Sequence, residues 1–226
     1  MRYEIQGGSF PVVICNLADG EQMITESGSM AWMSPNMQME TSGGGSLGKL
    51  FSRALAGESM FQNIYTARGA GMIAFASSFP GQIKAITIVP GKEMILQKSA
   101  FLAAESGVEL STHFSKKLGA GFFGGEGFIM QRLSGSGTAF VEIDGALMEY
   151  ELKPGQQIVV DSGCVAGFTP GVQMAIRQVP GLKNKLLGGE GLYNTLLTGP
   201  GTVWLQTMPL YGVASAIQPF LDLSSD

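Results

Sequence analysis

Charged residues are scarce in this chain: Asp, Glu, Lys and Arg make up 14% of 226 residues, with a formal net charge of −4. That balance provides no global basic field for nucleic acid. Histidine is nearly absent, and His113 alone cannot build a site of paired imidazoles. No Gly-x-Ser-x-Gly elbow occurs, so no catalytic residue is assigned and the chain reads as a non-enzyme. Cys15 and Cys164 stand far apart without ligand spacing, which argues against a disulfide framework or a zinc site. Buried thiols in a reducing cytoplasm are the simpler account, and neither a cofactor nor a metal is expected. No apolar run reaches the ~18 residues of a membrane span. The start, MRYEIQGGSF, has no apolar stretch of the secretory kind.

Glycine and apolar side chains fill the space that charge leaves. Gly is 33 of 226 residues without a collagen period, and 45% of the chain is apolar. Such composition belongs to a folded protein, not to a disordered one.

A short phrase recurs. AGESMF at Ala56–Phe61 returns as GGEGFI at Gly124–Ile129 and as GGEGLY at Gly188–Tyr193, spacing Gly57, Gly125 and Gly189 by 68 and 64 residues. Turn-plus-strand motifs keep the same period: DGEQMI from Asp19, PGKEMI from Pro90 and PGQQIV from Pro154. Each Gly-Glu is followed 12, 10 and 10 residues on by a Gly-x-Gly that opens a strand, at Gly69, Gly135 and Gly199. Three landmarks in fixed order predict one small unit laid down three times, each covering its neighbour's apolar face. The fold class expected is all-β, one domain over 1–226, with units near 18–89, 90–152 and 153–221 around a pseudo-threefold axis. Short helical or loop insertions interrupt the strands.

Alternation between Gly and Pro punctuators predicts strands at Ile86–Val89, Phe140–Ile143, Gln157–Val160 and Thr202–Gln206. Asp144-Gly145 between AFVEI and ALMEYEL predicts a two-residue hairpin. Counterparts are expected at FASSFPGQIKAITI and LQTMPLYGVASAI, with a fourth at the start, YEIQGGSFPVVICNLADGEQ at Tyr3–Gln22. The N-terminal hairpin (1–17) is expected to close against the last unit and cover an open sheet edge.

The set MRYEI, GGEGF, SGSGTAFVEI and PGQQIVVDSGCVAGF resembles the family of altered inheritance of mitochondria protein 24 and its bacterial relatives, over nearly the whole chain. The family is similar in fold to the tryptophan RNA-binding attenuation protein. The resemblance implies a compact β body of three related segments. It brings no catalytic motif, and a start that is neither Arg-rich nor Ser-rich leads to the expectation of a bacterial, cytoplasmic relative.

The insertions carry the site candidates. Ser46–Glu58, His113–Glu126 and Leu182–Glu190 hold Lys49, Arg53, Lys116, Lys117, Lys183 and Lys185, six of 14 basic groups, against three acidic ones. Large apolar residues lie among them, Phe51, Phe114, Phe122 and Phe123 included. Leu47, Leu50, Phe51 and Leu55 have helical spacing. Two readings stand: a basic, apolar face that docks on an anionic membrane or acidic partner, or inward packing with solvated lysines. At about 1 kcal/mol per net charge near an anionic surface, the electrostatic part is small. Two or three inserted side chains would add about 1.5–3 kcal/mol each, which describes reversible binding.

Glu58, Glu126 and Glu190 occupy one slot in each unit; they either converge on a cation or accept N–H groups from their own turns. The alternative function, RNA or small-ligand binding in grooves between units, needs stacking platforms beside basic groups. Trp32, Trp204, Tyr65 and Tyr150 sit instead in apolar strands. Self-association is expected, because so little charge is available to cover the surface.

Overall fold

The computed structural model describes residues 1–26, 28–42, 62–116, 127–178, 193–217 and 220. Among them are nineteen strands and one α-helix. The first strands are β1 (Arg2–Gln6), β2 (Val12–Leu17), β3 (Gln22–Thr25), β4 (Met30–Met33), β5 (Met37–Ser42), β6 (Gln62–Ala67) and β7 (Gly71–Ala76). Next come β8 (Gly81–Ile88), β9 (Met94–Gln97), β10 (Phe101–Glu105), β11 (Val108–Lys116), β12 (Phe128–Gly135) and β13 (Gly137–Asp144). The last are β14 (Leu147–Leu152), β15 (Gln157–Asp161), β16 (Val165–Phe168), β17 (Gln173–Gln178), β18 (Tyr193–Thr198) and β19 (Gly201–Gln206), followed by helix α1 (Leu210–Ile217). The all-β expectation holds at this level.

The strands form four antiparallel sheets. Their orders are β1-β2-β7-β4, β5-β6-β3-β10-β13-β8, β11-β12-β9-β16-β19-β14 and β15-β18-β17. Pairing follows a rule of six. The pairs β2·β7, β4·β7, β3·β6 and β5·β6 are matched by β8·β13, β10·β13, β9·β12 and β11·β12, and again by β14·β19, β16·β19, β15·β18 and β17·β18. Register agrees too. Met23, Met94 and Ile158, each three residues after a turn glycine with φ near +80°, lie opposite Tyr65, Leu133 and Leu197. A one-residue irregularity falls at the same step in β4, β10 and β16, between Met30 and Trp32, Phe101 and Ala103, Val165 and Gly167.

Strands β2–β7, β8–β13 and β14–β19, called blocks below, each contribute two three-stranded half-sheets. Half-sheets of successive blocks merge where β3 pairs β10 and where β9 pairs β16, which makes the two six-stranded sheets. The apolar core lies between successive sheets. One cluster, with Val13, Phe75, Tyr65 and Phe140, fills the space between the first two sheets. A second, with Leu96, Val141 and Trp204, lies between the six-stranded sheets, and a third, with Phe128, Phe168 and Leu197, between the last two. The central strands of the six-stranded sheets are therefore covered on both faces. This explains why β9 reads Met-Ile-Leu-Gln with every residue buried instead of alternating.

Three of the four expected hairpins are corrected. Strand β13 pairs β8 and β10, while β14 pairs β19, so Asp144-Gly145 is a corner at which the chain changes sheets. Gly145 has φ +77°, and a Cβ there would lie 2.7 Å from Thr207 Oγ1. The positive φ is real, but longer ladders, eight residues on β8 and six on β19, claim both edges. Likewise β7 and β8 enter different sheets. After β19 the chain forms α1, whose first N–H donates to Asp144 Oδ2 at 3.1 Å, with Pro209 just before the helix. The N-terminal segment does form a hairpin, β1·β2, and its ladder continues to β7. No ladder between it and the last block, nor between the last block and the first, is found among the described residues.

Two tests follow from this packing. Phe140 is fully buried and edge-on to Tyr3 at 5.0 Å. Phe140→Ala should cost about 3–5 kcal/mol in urea unfolding; a loss under about 1 kcal/mol would contradict its place in the core. Glu142, 9% exposed, accepts from Ser78 N at 2.8 Å, Ser77 Oγ at 2.9 Å and Ser78 Oγ at 3.1 Å, bracing the β7–β8 turn. Burial raises its pKa above the ordinary 4.5, the hydrogen bonds oppose this, and the Asp144 charge adds to it. A carboxyl raised in the folded state stabilises fully below its unfolded value and loses that contribution as pH climbs through the folded one. The Glu142 contribution to stability should therefore decline as pH rises from 4.5, while His113, lowered below 6.5, works in the opposite direction. Glu142→Gln should make the decline shallower, while Asp144, raised in the same direction, retains part of it. Urea unfolding between about pH 4 and pH 7 checks the slope; an unchanged slope would remove Glu142 from the account.

Candidate interaction surface

The three insertions join adjacent strands. One runs between β5 and β6, whose last opposed pair is Ser42 and Gln62; the others run between β11 and β12, and β17 and β18, closing at Lys116–Phe128 and Gln178–Tyr193. The rule of six therefore roots all three at the same place in their blocks. Lys49, Phe51, Arg53, Lys117, Phe122, Phe123, Lys183 and Lys185 lie outside the described residues, as do Glu58, Glu126 and Glu190. The helix expected over Leu47–Leu55 lies there as well.

The described root of the middle insertion divides inward from outward. Lys116 ends β11 and is exposed. Phe114 turns in, half-buried, its ring edge-on to Phe128 at 6.4 Å. Between Thr112 and Phe114 the ladder slips, so His113 sits in a bulge with its ring 6.3 Å from Phe168. Partial loss of solvent around that ring, helped by the Arg132 charge, lowers its pKa below the ordinary 6.5, which leaves the imidazole mostly neutral near pH 7.

Other polar and reactive groups serve packing. The Cys15 thiol is fully buried and pushed up to about 12 by loss of solvent, and that of half-buried Cys164 is also raised. Neither is a ready nucleophile, since the thiolate is the reactive form. Of the four aromatics weighed as stacking platforms, Tyr65 and Trp204 are buried, and Lys84 Nζ lies 4.3 Å over the Trp204 ring. Trp32 and Tyr150 are exposed. A shallow cleft of about 630 Å³ is walled by Arg2, Asn16, Glu21, Ser34 and Met72, all from the first block or β1. Among the described residues no three ligating side chains gather as a metal site, and no helix is long and apolar enough to cross a bilayer.

A surface that the insertion argument overlooked lies at two sheet edges. Strand β4 has a partner only in β7 and β15 only in β18, among the described residues. Their counterparts β10, β16, β3 and β9 are paired on both sides. The outward face of β4 and of β15 is also uncovered. Ile24 and Ile95, four residues after their turn glycines, are 5% and 0% exposed, whereas Val159 in the same position is 59% exposed. Trp32 is 46% exposed where its counterpart Ala103 is buried.

The other edge strands carry charge within the strand: Arg2 and Glu4 on β1, Glu40 on β5, Lys84 on β8, Glu109 on β11, Glu149 on β14, Arg177 on β17. Strand β4, Met-Ala-Trp-Met, carries none, and β15 only its terminal Asp161. Edge charge is the usual guard against unwanted pairing. Its lack in MAWM and QIVV was the sequence signal that could have found this surface.

Similar proteins extend over the same length. An uncharacterised protein of Streptococcus pyogenes serotype M6 is 30% identical, the match covering all of this chain and 93% of that protein. The crystal structure of a Streptococcus pyogenes protein superposes with a TM-score of 0.80 at 26% identity, covering 97% of this chain and 99% of that one. A family model described as Mitochondrial biogenesis AIM24 matches residues 3–208, which takes in all nineteen strands but the first residue of β1. The chain belongs to the mitochondrial biogenesis AIM24 family.

Proposed function

We propose that this chain is a non-enzymatic scaffold made of three tandem copies of one β unit, which docks reversibly on an anionic membrane through its three basic, apolar connections. The observation that carries this reading is the common root of those connections between β5 and β6, β11 and β12, β17 and β18. Six basic groups against three acidic ones in these segments contrast with eight against fifteen elsewhere. Phe114 packs inward, so the apolar part of the contact falls to the residues beyond the strand ends. An acidic protein is the other surface of matching charge. Grooves between units have less support, because the described cleft is walled by the first block and β1.

Flotation with vesicles containing phosphatidylserine tests this directly. The wild type should float at low ionic strength and release as salt rises, since the Debye length shrinks from about 10 Å at 0.1 M to 3 Å at 1 M. Lys116→Glu with Lys117→Glu should reduce the floated fraction several-fold. Equal flotation of wild type and variant ends the membrane reading. Binding only to an acidic protein moves it to the other surface.

A further inference from the structure

The free edges of β4 and β15 are the two halves of an interface that the chain already forms twice. In the first junction β3 runs antiparallel to β10 with Ile24 opposite Ala104. In the second, β9 runs antiparallel to β16 with Ile95 opposite Phe168. Counting by six, the third such junction would join β15 to β4 with Val159 opposite Met33. Each end of the molecule supplies one side of it: the three-stranded sheet ends in β15, and the four-stranded sheet ends in β4.

We infer that copies of this chain join head to tail, β15 of one against β4 of the next, so that the two end half-sheets complete a seven-stranded sheet. This rests on reading the three blocks as equivalent. The occupant of each edge is a second copy because the matching edge is present on the same chain, in the register used at both internal junctions. Apolar exposure confined to one side of the contact would suit many partners. Here both sides are apolar and nearly free of charge, and the outward positions Val159 and Trp32 are covered wherever the junction is made. The contact is heterologous, since one surface meets a different one. Such contacts close into rings or continue as filaments according to the rotation per copy.

Cysteine pairing reads the register. Opposed residues of an antiparallel ladder have Cα atoms about 4.5–5.5 Å apart, within disulfide reach. Met33→Cys and Val159→Cys are prepared as separate proteins on a Cys164→Ser background, then mixed under mild oxidation. A disulfide-linked pair of copies should form in the mixture and in neither protein alone. Sedimentation should show wild-type assemblies that grow with concentration. Val159→Lys, at an exposed site that leaves the single copy intact, should shift them to one copy. A wild type that stays a single copy at every concentration overturns the inference, as does a mixture without the crosslink. So does a double variant whose disulfide forms within one chain, because the ring would then close on itself. A foreign strand captured by β15 in place of β4 overturns it too. These outcomes leave the internal pairing and the vesicle reading untouched, which fail or stand by their own measurements.

Discussion

An interior strand in this protein is settled only when both of its edges have partners. Backbone N–H and C=O groups left in an apolar interior are costly, so an interior strand must find a ladder on each side. Each block builds two half-sheets whose inner edges, β3 or β9 on one and β10 or β16 on the other, cannot be satisfied within the block. Their pairing across the block boundary makes the two long sheets. It also sets the layering, in which three apolar clusters lie between four sheets.

The composition follows from that layering. Central strands covered on both faces take mostly apolar residues, which leaves few sites for charge, in keeping with the 14% charged residues. Several of the polar groups that go inside are tied down, although Gln97 Oε1 and Gln131 Oε1 are buried without a partner among the described residues. Thr25 Oγ1 donates to Leu102 O at 2.7 Å beside the first junction, and Gln206 Nε2 donates to Gly163 O at 2.9 Å. Glu26 Oε1 receives Gln131 Nε2 at 2.7 Å, a link between the first block and the second. The Thr25 and Glu26 bonds hold the first two blocks in one register, and a slip of one residue would turn every apolar side chain to the wrong face.

Much of this was legible in the residues, and the failures have a common cause. Turn glycines Gly20, Gly91 and Gly155 announced β3, β9 and β15, because positive φ at a turn is a local demand. The hairpins at Asp144-Gly145 and Pro80-Gly81 were misread for the opposite reason. A short turn says that the chain reverses or bends, but the ladder is decided by edges far off in the chain, such as β8 for β13 and β19 for β14. The C-terminal segment became α1 because Asp144 and Pro209 support a helix start there. The candidate site was legible only in part. Charge clustering drew attention to the connections, most of whose residues lie outside the described ones, whereas the exposed edges are marked by charge that is missing.

The central claim is that block-to-block strand pairing continues beyond the ends of one chain. Amide hydrogen exchange at increasing protein concentration tests it most directly, since exchange reports the stability of individual ladders. Amides of Met23–Thr25 and Ile95–Gln97 should be protected throughout, and those of Ile158–Val160 should gain protection as copies associate. Amides in β15 that exchange rapidly at every concentration would contradict the account.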